Sequence, residues 1–137
     1  MAATLEFKIV TPEGVNQQMQ ADWVVLPGVQ GEMGILPQHE PLLTQIIPGE
    51  LAVHAGGQTH YTAVGEGFVE ITGEHVYVMA DMAVDATSID EAKAEEARQA
   101  AQARLKEKLS GEEFTAAQAA LMRATAQVEV GRRRRRH

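Results

Sequence analysis

The chain has no cysteine, which excludes disulfides and thiolate chemistry and fits a reducing compartment. Basic side chains are almost missing from its first two thirds. Residues 1–88 hold Lys8 alone against eleven acidic residues, whereas residues 89–137 hold eleven Lys and Arg against eight Asp and Glu. Proline is absent after Pro48, and of twelve glycines just Gly111 and Gly131 lie beyond Gly73. Aromatic content is 4%, so a core must rest on aliphatic side chains and alanine. No apolar run approaches the ~18–20 residues of a membrane span, and Glu6 and Lys8 interrupt the apolar residues near the start. Neither a spanning helix nor a signal-peptide core is therefore expected, and any membrane association would run through a partner. A phosphate backbone would be repelled by so acidic a first module, which argues against nucleic acid as the main partner. The usual catalytic patterns are missing as well. There is no phosphate loop, no H-E-x-x-H and no EF-hand, and Gly65-Glu66-Gly67 lacks the third glycine and the helix of a dinucleotide fingerprint.

The sorted charge, with glycine and proline breaking near the same place, implies two modules with different surfaces and different partners. Turn signals punctuate the first at short spacing: Pro12-Glu13-Gly14, Pro27-Gly28, Pro48-Gly49, Gly56-Gly57 and Thr72-Gly73. Between them lie short β-branched runs with period two, such as Leu5, Phe7 and Ile9 alternating with Glu6, Lys8 and Val10. Many short strands with no helices between them predict an antiparallel sandwich or barrel of roughly 80 residues. If Gly56-Gly57 is a two-residue turn, Ala55 faces Gln58, His54 faces Thr59 and Val53 faces His60. His54 and His60 then point to opposite faces, which argues against a shared metal ion.

At Ser88 the period changes. Ser88-Ile89-Asp90-Glu91 has the form of a capping box, followed by an apolar stripe at Ala94, Ala97, Ala101, Leu105 and Leu109. Ser110-Gly111 reads as its end. A second stripe runs Phe114, Ala117, Leu121, Ala124 and Val128. So short a link makes the two helices antiparallel. Their alanine seam predicts strong helix propensity within each arm and weak attraction between the arms, so the pair is expected to separate at modest cost.

His39 and Glu40 offer an acid–base pair, the basis of an alternative reading as a small sandwich enzyme, yet no third orienting group is evident. Ser88 and Ser110 fall at helix ends, where capping accounts for them better than nucleophilic roles. The five arginines at 132–136 follow a glycine and read as a solvated tail, as a docking element for an acidic protein surface or, as a third reading, as a contact to nucleic acid or phospholipid.

The stretch Pro27-Gly28-Val29-Gln30-Gly31-Glu32-Met33-Gly34-Ile35-Leu36-Pro37-Gln38-His39-Glu40-Pro41-Leu42-Leu43-Thr44, with Pro48-Gly49-Glu50-Leu51 after it, resembles the hallmark region of the epsilon subunit of F-type ATP synthase. Phe7-Lys8-Ile9-Val10-Thr11-Pro12, Gly67-Phe68-Val69-Glu70-Ile71 and Ile89-Asp90 extend the likeness over the whole chain. The resemblance implies an all-β sandwich of about ten strands over residues 1–86, a C-terminal antiparallel two-helix hairpin over 87–131, and a basic tail over 132–137. It implies a non-catalytic central-stalk subunit, peripheral on the cytoplasmic face of a bacterial inner membrane. Its partners would be the gamma subunit, the ring of c subunits and, in an inhibited state, the catalytic beta subunit. In such a state the hairpin extends along gamma and blocks ATP hydrolysis.

By position, the likeness puts Gly31, Glu32 and Met33 at the c ring and His39 toward gamma, though Gln38 stands where the family usually has glycine. It puts Arg123, Arg132, Arg133 and Arg134 against an acidic loop of beta. Ile89, Asp90, Lys93 and Ala94 match the ATP-binding motif of some members. Lys93 in place of arginine loses the bidentate fork, and Val84 lacks the acid found there in ATP-binding members. ATP binding is expected to be weak at best, with no other cofactor and no metal. A nucleotide-sensing module is thus the second alternative.

Overall fold

In β1 (Leu5–Thr11), Leu5, Phe7, Ile9 and Thr11 are buried while the residues between them are half-buried, the alternation expected of a strand with one face on a core. A computed structural model describes residues 3–136, with side chains as far as Arg133 at the C-terminal end. Nine further strands follow: β2 (Gly14–Ala21), β3 (Trp23–Gly28), β4 (Gly31–Ile35), β5 (Leu42–Ile46), β6 (Gly49–Ala55), β7 (Gln58–Val64), β8 (Gly67–Ile71), β9 (His75–Ala80) and β10 (Ala83–Asp85). They pair in the order β10-β7-β6-β3-β5-β8-β9-β1-β2, with β4 also on β3. β3 and β5 touch at one pair, Gly28 and Ile46, and there the path turns from one layer of the sandwich into the other. Pairing is antiparallel except between β1 and β9, which run parallel. The sequence expectation of antiparallel pairing throughout is corrected at this one place, where strands distant in sequence meet.

The β6–β7 hairpin has the register read from its glycines, with Ala55 opposite Gln58 and Val53 opposite His60. Gly56 and Gly57 both have positive φ, 59° and 80°, as a two-residue turn matched to strand twist requires. His54 stacks on Trp23 with ring centroids 3.6 Å apart, and its Nδ1 is 3.0 Å from Thr59 Oγ1. Sixteen buried residues form the main core, from Leu5, Phe7 and Ile9 through Val76 and Val78, and all of them lie in strands. At ~1.5–3 kcal/mol for each large side chain removed from water, the main core draws its burial from strand residues alone.

A 3-10 turn (Ala86–Ser88) leads to α1 (Glu91–Leu105) and α2 (Gly111–Arg136). The expected Ser88 capping box is corrected. Asp90 is the N-cap, its Oδ1 accepting from Lys93 N at 3.1 Å, and Asp85 caps the 3-10 turn. The start is displaced because Ile89 is buried in a cluster with Ala63, Ala86, Ala126 and Val130, which holds the backbone extended up to Asp90. α1 also ends at Leu105, short of Leu109. Ser110 opens α2 instead of closing α1, its Oγ accepting from Glu113 N at 3.2 Å. Phe114, expected on the seam, is exposed, while Ala97 lies on the seam but lines an open crevice there and is not buried. The arginine run is not a separate tail in this conformation. α2 continues through Arg136, about 39 Å in all at 1.5 Å per residue, because its second half is gripped on two sides. Ala124 and Val128 continue the face toward α1, while Ala126 and Val130 lie on β7.

Candidate functional site

Three surfaces carry chemistry. The first is the β3–β4 turn. Gly31 sits at φ +121°, a conformation that glycine alone adopts readily, and the space around it is open. Glu32 is exposed beside it, paired in register with Pro27. Met33 is half-buried against the main core, so it anchors the turn from beneath. His39 lies at the opposite end of β4 and β5, where Gln38 N donates to Gly73 O at 2.8 Å. The positions expected to meet ring and gamma are therefore separated by the length of a strand.

His39 Nδ1 lies 2.6 Å from the carbonyl oxygen of Glu40, so the ring closes a local turn and does not face the Glu40 carboxylate. Among the described residues no group of three or more His, Asp or Glu could hold a metal. Gln38 has φ 68°, the single positive value among the described non-glycine residues. A proline followed by a left-handed residue is the order of a type II turn, which favours glycine second. Gln38→Gly is expected to raise stability by roughly 0.5–1 kcal/mol, read as a higher urea midpoint; an unchanged or lower midpoint would show that no strain is relieved there.

The second surface is the C-terminal half of α2, from Arg123 onward. All three described arginines assigned by resemblance to the beta subunit already face acids of this chain. Arg123 Nη1 lies 3.9 Å from Asp81 Oδ2. Arg132 reaches Glu91 at 3.9 Å and Glu95 at 3.8 Å, both on α1. Arg133 Nε donates to Glu50 Oε2 at 2.5 Å while its guanidinium sits 5.0 Å over the Tyr61 ring. Arg133 and Arg132 line one crevice of about 380 Å³ with Glu32, Glu50, Glu129 and Pro27. The Glu50 hydrogen bond raises the Arg133 pKa further, and Glu32 adds to it more weakly. Glu95, hydrogen-bonded by Arg98, is held below the ordinary carboxylate value. Its contribution is present above the unfolded pKa and is lost as pH falls through the folded one. The side chain of Arg134 lies outside the described residues.

The third surface is the outer face of the β5-β8-β9-β1-β2 layer. Strand register lines up Phe68, Met79, Val10 and Val15 in one row across four strands. Phe68 is 53% exposed, Met79 45% and Val15 60%, and Leu43 on β5 is 67%. Beside this row lies a polar one. Tyr77 OH donates to Glu6 Oε2 at 2.9 Å, Gln18 donates to Oε1, Lys8 covers the Tyr77 ring, and His75 stacks on it and pairs with Glu70. The Tyr77 hydrogen bond lowers the Glu6 pKa and raises its own. Sequence reasoning missed this face. Its signal was there, in Phe68 and Met79 at outward strand positions where polar residues are the rule.

The four positions of the ATP-binding motif do not form one surface. Ile89 is buried beneath α2, and the Asp90 carboxylate caps α1. Lys93 and Ala94 line a crevice of about 300 Å³ with Met82, Arg123 and Gln127.

Residues 4–86 match the family described as ATP synthase, Delta/Epsilon chain, beta-sandwich domain, and residues 87–131 match its long alpha-helix domain. An ATP synthase epsilon chain of Acidithiobacillus ferridurans is 46% identical over 135 residues, covering 98% of this chain and 96% of that one. One from Herpetosiphon aurantiacus is 40% identical, with 96% of each chain covered. A chain in a cryo-EM structure of the Euglena gracilis mitochondrial ATP synthase, comprising OSCP, F1 and c-ring, superposes with a TM-score of 0.76. That match covers 98% of this chain and 82% of the other, and at 22% identity it speaks to the fold.

Proposed function

The chain belongs to the ATP synthase delta/epsilon chain family, and from that premise we propose that it is the epsilon subunit of the central stalk. In that role it is a rotor part without catalytic residues of its own, coupling ion flow through the c ring to ATP synthesis in the F1 head. It sits peripherally at the cytoplasmic face of a bacterial plasma membrane. None of its described helices is long and apolar enough to cross one, so the attachment runs through the complex. Gly31 and Glu32, supported by Met33, meet the ring loops. His39 and the apolar row of Phe68, Met79 and Val15 face gamma.

We infer further that the hairpin opens and inhibits hydrolysis, with Arg123, Arg132, Arg133 and Arg134 set against the beta subunit. The observation carrying this reading is that the sandwich core contains no helical residue, while α2 is attached through a separate cluster of five buried side chains. The seam between the helices leaves an alanine-lined crevice of about 500 Å³ between Ala97, Ala101, Ala117 and Ala120. Detaching the hairpin therefore leaves the main core intact. ATP binds weakly at best, because the Asp90 carboxylate is already engaged as a cap.

The test is a titration of ATP hydrolysis by the catalytic head with gamma but without epsilon. Three forms are added: the full chain, residues 1–88, and the full chain with arginines 132–136 replaced by alanine. The full chain is expected to inhibit, residues 1–88 to bind without inhibiting, and the form lacking arginines 132–136 to inhibit about tenfold less well at low salt. Binding of all three forms without inhibition by any would leave a coupling subunit with a silent hairpin. No binding at all would overturn the stalk assignment.

A further inference from the structure

The arginines that the proposed inhibited state needs are engaged in the closed form, and the acids engaging them lie on the sandwich as well as on α1. Glu50 lies on the outward face of β6, in register with Ala63 on β7, the residue against which Ala126 and Val130 pack. Arg133 is placed by the same helical face, three residues after Val130, so seating the apolar cluster brings its guanidinium to Glu50 and over Tyr61. Nearer the middle of α2, Arg123 approaches Asp81 in the segment between β9 and β10. Acids crowd the arginine end on every side: Glu32 and Glu50 from the sandwich, Glu129 from α2 itself, Glu91 and Glu95 from α1.

We propose that Arg133 and Glu50, seconded by Arg123 and Asp81, form an electrostatic clasp that holds the hairpin shut on the sandwich and sets how readily it opens. The regulatory meaning of the clasp rests on the proposed inhibitory role of the hairpin; its existence does not. The device exchanges one acidic partner for another, leaving the Glu50 and Asp81 carboxylates to water. On opening, the same cations that leave Glu50 and Asp81 become available to an acidic surface elsewhere, so opening into a bound state costs little in ion pairs. Opening into free solvent loses the clasp with nothing in return. Closure is thereby favoured until an acidic partner is present. Because its members are partly exposed, the clasp weakens with salt.

The test uses the isolated full chain and amide hydrogen exchange followed by mass spectrometry. Glu50→Gln keeps the size and removes the charge. It is expected to raise exchange across residues 116–133 roughly fivefold at low salt, leave the β1 and β9 amides unchanged, and reduce the salt dependence seen in the parent chain. The charge swap Glu50→Arg with Arg133→Glu is expected to return exchange to within about twofold of the parent. Unchanged exchange and salt dependence in Glu50→Gln would overturn the clasp. So would a swap no more protected than the single variants. No ATP synthase is needed for this readout, so a failure of the inhibitory reading leaves the result standing, and the reverse holds too.

Discussion

Gly67→Ala is expected to destabilise the sandwich by more than about 3 kcal/mol, the range of core overpacking at its severe end. Gly67 pairs on one side with Ile46 in β5 and on the other with Ala80 in β9. A Cβ added there runs into the Met79 carbonyl oxygen, with the Ala80 Cα 2.8 Å away. Both obstacles are backbone, so no side chain can swing aside. Relief requires pushing β9 from β8, and β9 also pairs with β1 and supplies Val76, Val78 and Ala80 to the core. Gly34→Ala is the control, since no heavy atom lies within 4 Å of its added Cβ and its φ is not positive. It is expected to stay within about 0.5 kcal/mol of the parent chain. Urea unfolding followed by circular dichroism reads both. Matching midpoints for the two variants would mean that β8 and β9 can separate cheaply at this point.

How much of this was legible in the sequence depends on the range of the forces involved. Local rules were enough for β1 and for the β6–β7 hairpin, because alternation and a Gly-Gly turn fix register without knowledge of distant residues. They were also enough to show that the chain switches to two helices after the strands, though not where the first ends or what caps the second. Misplaced features were those decided by tertiary contact. Ser88 and Asp90 are both good N-caps by type, and burial of Ile89 under α2 chose between them. Two sequence stripes suggested a hairpin packed on itself, yet α2 is gripped by β7 as well as by α1, which is why its helix runs through the arginines. No local rule could have told Arg133 from its neighbours. Its role appears once β6 places Glu50 beneath it. The positions matched by resemblance followed the same division. Gly31 and Glu32 stand exposed on a turn that their residue types explain, whereas Ile89, Asp90, Lys93 and Ala94 are drawn to three different tasks. Gln38 shows the converse case: the departure from glycine was visible in the sequence, and the left-handed backbone says what it costs.

Phe68→Glu is expected to weaken binding to the gamma-containing head at least thirtyfold while leaving stability within about 0.5 kcal/mol, the pattern of an interface anchor and not of a core residue. A single exposed apolar side chain needs no explanation, but a row continued across β8, β9, β1 and β2 does. Soluble proteins rarely leave such contiguous apolar surface uncovered. On this molecule the hairpin does not cover it, because α2 packs against β6 and β7 in the other layer. The helices and the apolar row thus occupy separate layers, so a partner held on the row does not depend on the hairpin's position. The inhibitory role proposed above requires that separation. The polar row of Glu6, Lys8, His75 and Tyr77 beside it is fixed by contacts among its own members, so it offers a partner on the apolar row a preorganised polar edge. Met122→Glu, on an exposed position of α2, serves as control and is expected to leave gamma binding unchanged. Equal dissociation constants for Phe68→Glu and the parent chain would move the gamma contact off this face. Loss of binding in both variants would implicate the hairpin in attachment and undo the separation of anchor from brake.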